Sequence, residues 1–178
     1  HNRSIMNMEG LENMLYIMRH GKTDWNAVHK LQGKTDVPLN EEGRQMVKGA
    51  GKRYRDVHFD VCYCSPLTRA RETAEAVLRG RDVPIITDAR LEEMSFGVCE
   101  GSIDFMVNSE NPIHDLFCAP EKYVTPPEGG ESLQALYART GEFLDNYYTG
   151  KNVKFQWISN PVEILLSSPQ RTKAASAC

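Results

Sequence analysis

The sequence predicts an α/β sandwich around a mainly parallel sheet, and three observations carry that prediction. Short apolar runs alternate with segments of helical spacing between residues 14 and 148. The runs stop at Gly, Pro or small polar residues, which punctuate strands. The residues richest in chemistry, Arg19-His20-Gly21 and Ser65-Pro66, fall where apolar runs end, the edge at which such sheets present ligands.

Taken in order, Leu15–Met18 reads as a buried strand and residues 21–40 as a loop broken by Gly33, Asp36 and Pro38. Asn40 is a good helix N-cap, with Glu41 and Glu42 in the first turn to suit the helix dipole, and the helix runs to about Arg55. Phe59–Cys64 is a strand halted by Ser65-Pro66. Leu67–Leu78 is an Arg- and Ala-rich helix that ends before Gly80. Pro84–Thr87 is a short strand. The stretch from Asp104 to Tyr123 is poorly patterned, with one helical piece at Ile113–Phe117, and Glu131–Tyr148 is a long helix. Residues 1–13 show no periodicity and read as a leader or expression remnant, with Met6, Met8 or Met14 as native start. The domain is expected over 14–160 and an atypical tail over 161–178.

At 178 residues the chain suffices for one domain with a substantial core. A net charge of −3 gives no electrostatic case for nucleic acid or an anionic membrane surface. No apolar run approaches a membrane span of about 20 residues. The five cysteines, Cys62, Cys64, Cys99, Cys118 and Cys178, form no metal-ligand spacing and read as free thiols in a reducing cytoplasm. No metal and no cofactor is expected.

A strand end that delivers Arg19 and His20 side by side into a Gly turn can hold an anion. Gly lets backbone approach a ligand, the Arg fork matches phosphate, and imidazole can serve as nucleophile or acid/base near neutral pH. From this segment alone, a plain strand cap fits equally well.

Three further segments decide between these readings. Arg19-His20-Gly21-x-Thr23-x-Trp25-Asn26, the block Ser65-Pro66-Leu67-Thr68-Arg69-Ala70-Arg71-Glu72-Thr73-Ala74, the block Leu91 to Gly101 with Glu93, Phe96-Gly97 and Glu100-Gly101, and Gly130-Glu131-Ser132 with Arg139 downstream stand in one order. Together they resemble the histidine phosphatase superfamily, which includes phosphoglycerate mutases and many small phosphatases. The resemblance runs from about Met14 to about Lys151. It implies a three-layer fold with helices on both faces of the sheet and a small phosphorylated substrate. By it His20 is the nucleophile, Arg19 and Arg69 clamp the phosphoryl oxygens, and Glu93 is the general acid. Asn26, Thr23 and Gly33 bind substrate. Glu92 is the alternative acid, and spacing from Leu91 and to Gly97 selects Glu93. Glu100 is expected to be structural near a turn, and Glu131 to cap the long helix. Arg71 is expected in solvent, Trp25 in packing, and His29, His58 and His114 outside the site.

The resemblance breaks near the C-terminus. The family carries a second catalytic His after its last core strand, and no His follows His114 here. Lys154 and Gln156 interrupt what should be an apolar strand buried on both faces. Val162–Leu166 could form a strand, and Ser167–Cys178 reads as an unstructured polar tail. A truncated or frame-shifted gene and a divergent member both fit, and the abruptness of the change favours the first. A lost charge-stabilising donor costs about 10²–10³ in rate, and a lost central strand would leave an unpaired sheet edge.

The function expected is a phosphomonoester hydrolase working through a phosphohistidine. The alternatives are a mutase and a catalytically impaired phospho-ligand binding protein. Only 25 residues separate Gly101 from Pro127, which favours phosphatase over the longer mutases. The residues between Asp104 and Pro126 read as a lid that selects the substrate. Phe105, Phe117 and Tyr123 either pack within it or meet the leaving group. Oligomeric state is not readable from the sequence.

Overall fold

A computed structural model of the chain describes residues 12–148, 153–157 and 164–170. Five strands, β1 (Glu12–Met18), β2 (Val61–Cys64), β3 (Ile85–Thr87), β4 (Val153–Trp157) and β5 (Ile164–Gln170), form one sheet in the order β3-β2-β5-β1-β4. The described helices are α1 (Asp24–Ala27), α2 (Glu41–Arg53), α3 (Thr68–Val77), α4 (His114–Cys118) and α5 (Leu133–Tyr148).

The pleat of β1 explains the layers. Tyr16 and Met18 face α2 and α3 in one core, together with Cys62 and Cys64 of β2 and Ala70, Ala74 and Val77 of α3. Leu15 and Ile17 point the other way, into a second core with Phe143 of α5. Phe143 packs edge-on to Tyr63 with ring centroids 5.4 Å apart. Helices therefore cover both faces of the sheet, as expected of the three-layer sandwich. Both cysteines of β2 are fully buried on the α2/α3 side, and burial drives their thiol pKa values upward, that of Cys64 to about 11.

Four of the five strands share one direction: β4 pairs parallel with β1 and β3 parallel with β2. The exception is β5, which lies between β1 and β2 and runs antiparallel to both. Ser167–Gln170, expected in an unstructured tail, therefore belongs to a central strand, with Ser167 opposite both Leu15 and Val61. The low strand propensity of Ser-Ser-Pro-Gln gave way to its tertiary surroundings. No unpaired edge opens in the middle of the sheet. Lys154 and Gln156 belong to β4, an outer strand of the five, where an apolar run on both faces is not required. At the other end, β1 begins at Glu12, two residues inside the segment read as leader. The remainder of that leader, and residues 171–178 of the tail, lie outside the described residues.

A third apolar cluster joins Leu31, Met94, Phe96, Cys99 and Ile113. Phe105 and Tyr123 pack on it, and the Phe105 and Phe117 rings meet at a tilt with centroids 4.9 Å apart. Phe105 and Tyr123 thus pack within this segment, while Phe117 is 40% exposed. Among the described residues no helix is long and apolar enough to cross a membrane.

Candidate active site

Strand β1 ends at Met18 and hands Arg19 and His20 to the C-terminal edge of the sheet. The turn that follows is held from two sides. The Gly21 N–H donates to Thr73 Oγ1 at 2.9 Å, and the Thr73 hydroxyl donates to the Arg69 carbonyl at 2.7 Å. A β-carbon on Gly21 would lie 2.8 Å from Val47 Cγ1 and 3.0 Å from the Gly43 carbonyl, so only glycine fits between β1 and α2. Thr73 ties α3 to the turn that follows His20. The sequence placed it in a motif without giving it a role.

His20 is buried, and its Nδ1 lies 2.5 Å from the Gly21 carbonyl. A carbonyl can only accept, so Nδ1 carries the proton and the neutral ring's lone pair is on Nε2. Burial, with the positive charges of Arg69 and Arg19, pulls the ring pKa down to about 3 against the opposing pull of the Gly21 bond. The imidazole is therefore neutral at physiological pH, as a nucleophile must be.

Arg69 sits on the first turn of α3 and is fully buried. Its guanidinium is cradled by the loop that precedes α2. Nη1 donates to the Thr35 carbonyl at 3.0 Å and Nη2 to the Gly33 carbonyl at 2.8 Å. Gln32, with its amide oriented to satisfy both neighbours, accepts from Arg69 Nε at 2.8 Å and donates to Thr23 Oγ1 at 2.6 Å. Gln32 is a site residue that sequence reasoning missed; its neighbourhood to Gly33 was the available signal.

Glu93 accepts from the Met94 N–H at 2.8 Å. Burial raises its pKa against that bond and against the charges of Arg69, Arg19 and Arg139. Glu92, the alternative acid, points elsewhere, into an ion pair with Lys34 at 2.8 Å. Glu93 feels Arg69 and Arg19, the same arginines that act on His20.

The three substrate-binding candidates separate. Asn26 lines a cavity of about 510 Å³ together with Arg19, His20 and Lys22. Its Oδ1 accepts from the Thr23 N–H at 3.0 Å, closing a capping box on α1. The Asn26 Nδ2 is thereby left to donate to a ligand. Thr23 is fully buried, and its hydroxyl donates to Asn26 Oδ1 while accepting from the Asn26 N–H and Gln32. The hydroxyl's capacity is spent, so a substrate contact through this side chain gives way to a role in placing Asn26. Gly33 meets Arg69 through its carbonyl, as part of the cradle.

Glu131 does not cap α5. It forms a two-pronged pair with Arg139, at 2.6 and 2.9 Å, and Ser132 caps the helix by accepting from the Ala135 N–H at 3.1 Å. Arg139 also donates to the Arg90 carbonyl at 2.6 Å. Arg71 is exposed, 3.9 Å from Glu75. Among the described residues, no cluster of His, Cys, Asp and Glu could hold a metal ion.

Residues 15–153 match the model of the histidine phosphatase superfamily (branch 1). The chain belongs to that superfamily. An uncharacterized phosphatase of Bacillus subtilis (strain 168), PhoE, is 40% identical over 85 residues, covering 48% of this chain and 44% of its own length. A probable phosphoglycerate mutase of Erwinia tasmaniensis, GpmB, is 38% identical over 132 residues, covering 74% of this chain and 61% of its own. Among solved structures, Bacillus stearothermophilus YhfR superposes with a TM-score of 0.66 at 31% identity, over 82% of this chain and 73% of that one. The chain thus spans less than two thirds of the length of these curated relatives. The histidine phosphatase assignment rests on the part that carries His20, Arg69 and Glu93.

Proposed function

We propose that this chain hydrolyses a phosphomonoester of a small metabolite through a phosphohistidine on His20, without a metal ion or cofactor. The observation that carries the proposal is a buried imidazole kept neutral, with its lone pair directed to Nε2 by the Gly21 carbonyl, beside two arginines and a carboxyl of raised pKa. In the first step Nε2 attacks phosphorus and the bond from phosphorus to the leaving oxygen breaks. Glu93 gives its proton to that oxygen. In the second step water attacks phosphorus, Glu93 takes the water's proton, and the P–N bond breaks with its electron pair returning to Nε2. Arg19 and Arg69 hold the equatorial oxygens, where charge accumulates, and Asn26 adds a neutral donor. The resemblance to phosphatases and mutases supports this chemistry. The short segment between Gly101 and Pro127 favours transfer to water over transfer within a sugar acid. Free buried thiols fit a cytoplasmic setting.

One observation favours a second reading: no His follows His114 within these 178 residues. A protein that binds phosphate esters without turning them over would account for that.

Hydrolysis of an aryl phosphate in the presence of chelator separates the readings. Turnover is expected, lost in His20→Ala. Glu93→Gln is expected to cost more with an alkyl ester than with an aryl ester, whose leaving group needs less help from an acid. Binding of the ester with no turnover by the folded wild-type chain would contradict the hydrolase and favour the binding protein.

A further inference from the structure

Glu100 touches none of the residues that meet the phosphoryl group in the proposed chemistry, yet its carboxylate is the most heavily hydrogen-bonded acceptor near the site. Oε1 accepts from the Lys34 N–H at 2.9 Å and the Phe96 N–H at 3.1 Å. Oε2 accepts from the Thr35 N–H at 2.7 Å and from the Thr35 hydroxyl. Burial would raise the carboxyl pKa, but these donors outweigh it and hold the group below the usual range for Glu, as an anion.

The donors belong to two segments. Lys34 and Thr35 lie in a strap, residues 33–36, whose far end is pinned to α3. There Asp36 accepts from the Thr68 N–H at 2.8 Å and the Thr68 hydroxyl at 2.7 Å. Phe96 lies three residues beyond Glu93. Gly33 has no room for a side chain: a β-carbon there would overlap the Glu100 carboxylate and lie 2.7 Å from the Met94 carbonyl. The strap is therefore fastened by one carboxylate to the loop that carries Glu93. Its inner carbonyls, Gly33 and Thr35, are those that receive the Arg69 guanidinium.

We infer that Glu100 is a positioning residue, which fixes the plane of the Arg69 guanidinium by clamping the 33–35 strap and keeps it in register with Glu93. A fully buried arginine depends on its acceptors for both solvation and orientation. Loop carbonyls alone leave that orientation free to drift, whereas carbonyls tied at each end to a carboxylate do not. Gln cannot replace Glu100, because both carboxylate oxygens accept from backbone N–H groups and an amide would turn its NH₂ against one of them. The significance for catalysis rests on Arg69 gripping the phosphoryl group, as proposed above.

The test follows the Arg69 side chain itself, in the full chain labelled with ¹⁵N/¹³C-arginine. In the wild type, rotation about the Nε–Cζ bond should be slow. In Glu100→Gln it should speed up by about tenfold or more, the equivalent of one lost hydrogen bond to a charged group. Thr35→Val, a milder variant that removes only the hydroxyl donor, should move in the same direction by less. An unchanged rotation rate in both variants, whatever their melting temperatures, would overturn the inference and leave Glu100 a packing residue. Hydrolysis is read in parallel. Glu100→Gln should lower kcat more than it raises KM, with little further loss on an Arg69→Lys background. A wild-type chain without turnover contradicts the proposed activity, while the guanidinium rotation still decides the role of Glu100.

Discussion

In the proposed reaction His20 must be neutral to attack phosphorus, and its burial, its bond to the Gly21 carbonyl and its two arginine neighbours bear on that requirement differently. The Gly21 bond by itself favours the charged ring, and burial and the arginines overcome it. The consequence for stability has a definite sign. In the unfolded chain His20 takes up a proton near pH 6.5, while in the folded protein it does so only near pH 3. Between those values the unfolded state binds more protons, so stability is fully present above pH 6.5 and is lost as pH falls toward 3. The full extent is a few kcal/mol. Replacing His20 by Asn should flatten this acid limb in urea-denaturation midpoints measured across the window. An acid limb unchanged in the variant would mean that the ring is already charged in the folded protein. Glu93 has the opposite character: burial raises its carboxyl pKa, the direction that the proposed role of proton donor requires. At this scale Arg19, His20, Arg69 and Glu93 stand out in the sequence because they lie in motifs with fixed spacing, and the fold brings them within electrostatic reach of one another. Thr23 was misjudged because a motif position does not say whether a hydroxyl faces a ligand or a helix end. Here it caps α1.

The elements owe their placement to a few cross-ties rather than to propensity alone. Thr73 joins α3 to the turn after β1 through one hydroxyl that accepts from Gly21 and donates to the Arg69 carbonyl. Thr73→Val keeps the shape but leaves the Gly21 N–H without its acceptor. It should lower stability by about 1–3 kcal/mol, whereas Thr73→Ser should retain most of it. Equal losses in denaturant titrations of the two variants would show that packing, not the hydroxyl, holds the turn. The long helices and the strands around Leu15–Met18 and Phe59–Cys64 were readable from apolar periodicity and from caps such as Asn40, which does accept from the Gly43 N–H at 2.8 Å. Glu131 misled because an acidic residue just before a helix suits its dipole. Its bond to Arg139, eight residues away, is tertiary and leaves no local trace.

For the whole molecule, the alternation of strands and helices correctly announced a sandwich with helices on both faces. What periodicity did not reveal is the centre of the sheet. β5 ends in Ser-Ser-Pro-Gln and runs against its neighbours, and its place between β1 and β2 is decided by pairing partners 100 residues or more away. The candidate site is assembled at the edge where β1 and β2 end, so that His20 after one strand feels the charge of Arg69 after the other. Covalent capture tests that assembly most directly. The chain is mixed with an aryl phosphate, quenched within its first turnovers, and examined by intact mass and peptide mapping. One phosphoryl group on His20, labile to acid, stable to base and absent from His20→Ala, is the result predicted. Hydrolysis that proceeds with no such adduct, or with the phosphoryl group on another residue, would contradict the account.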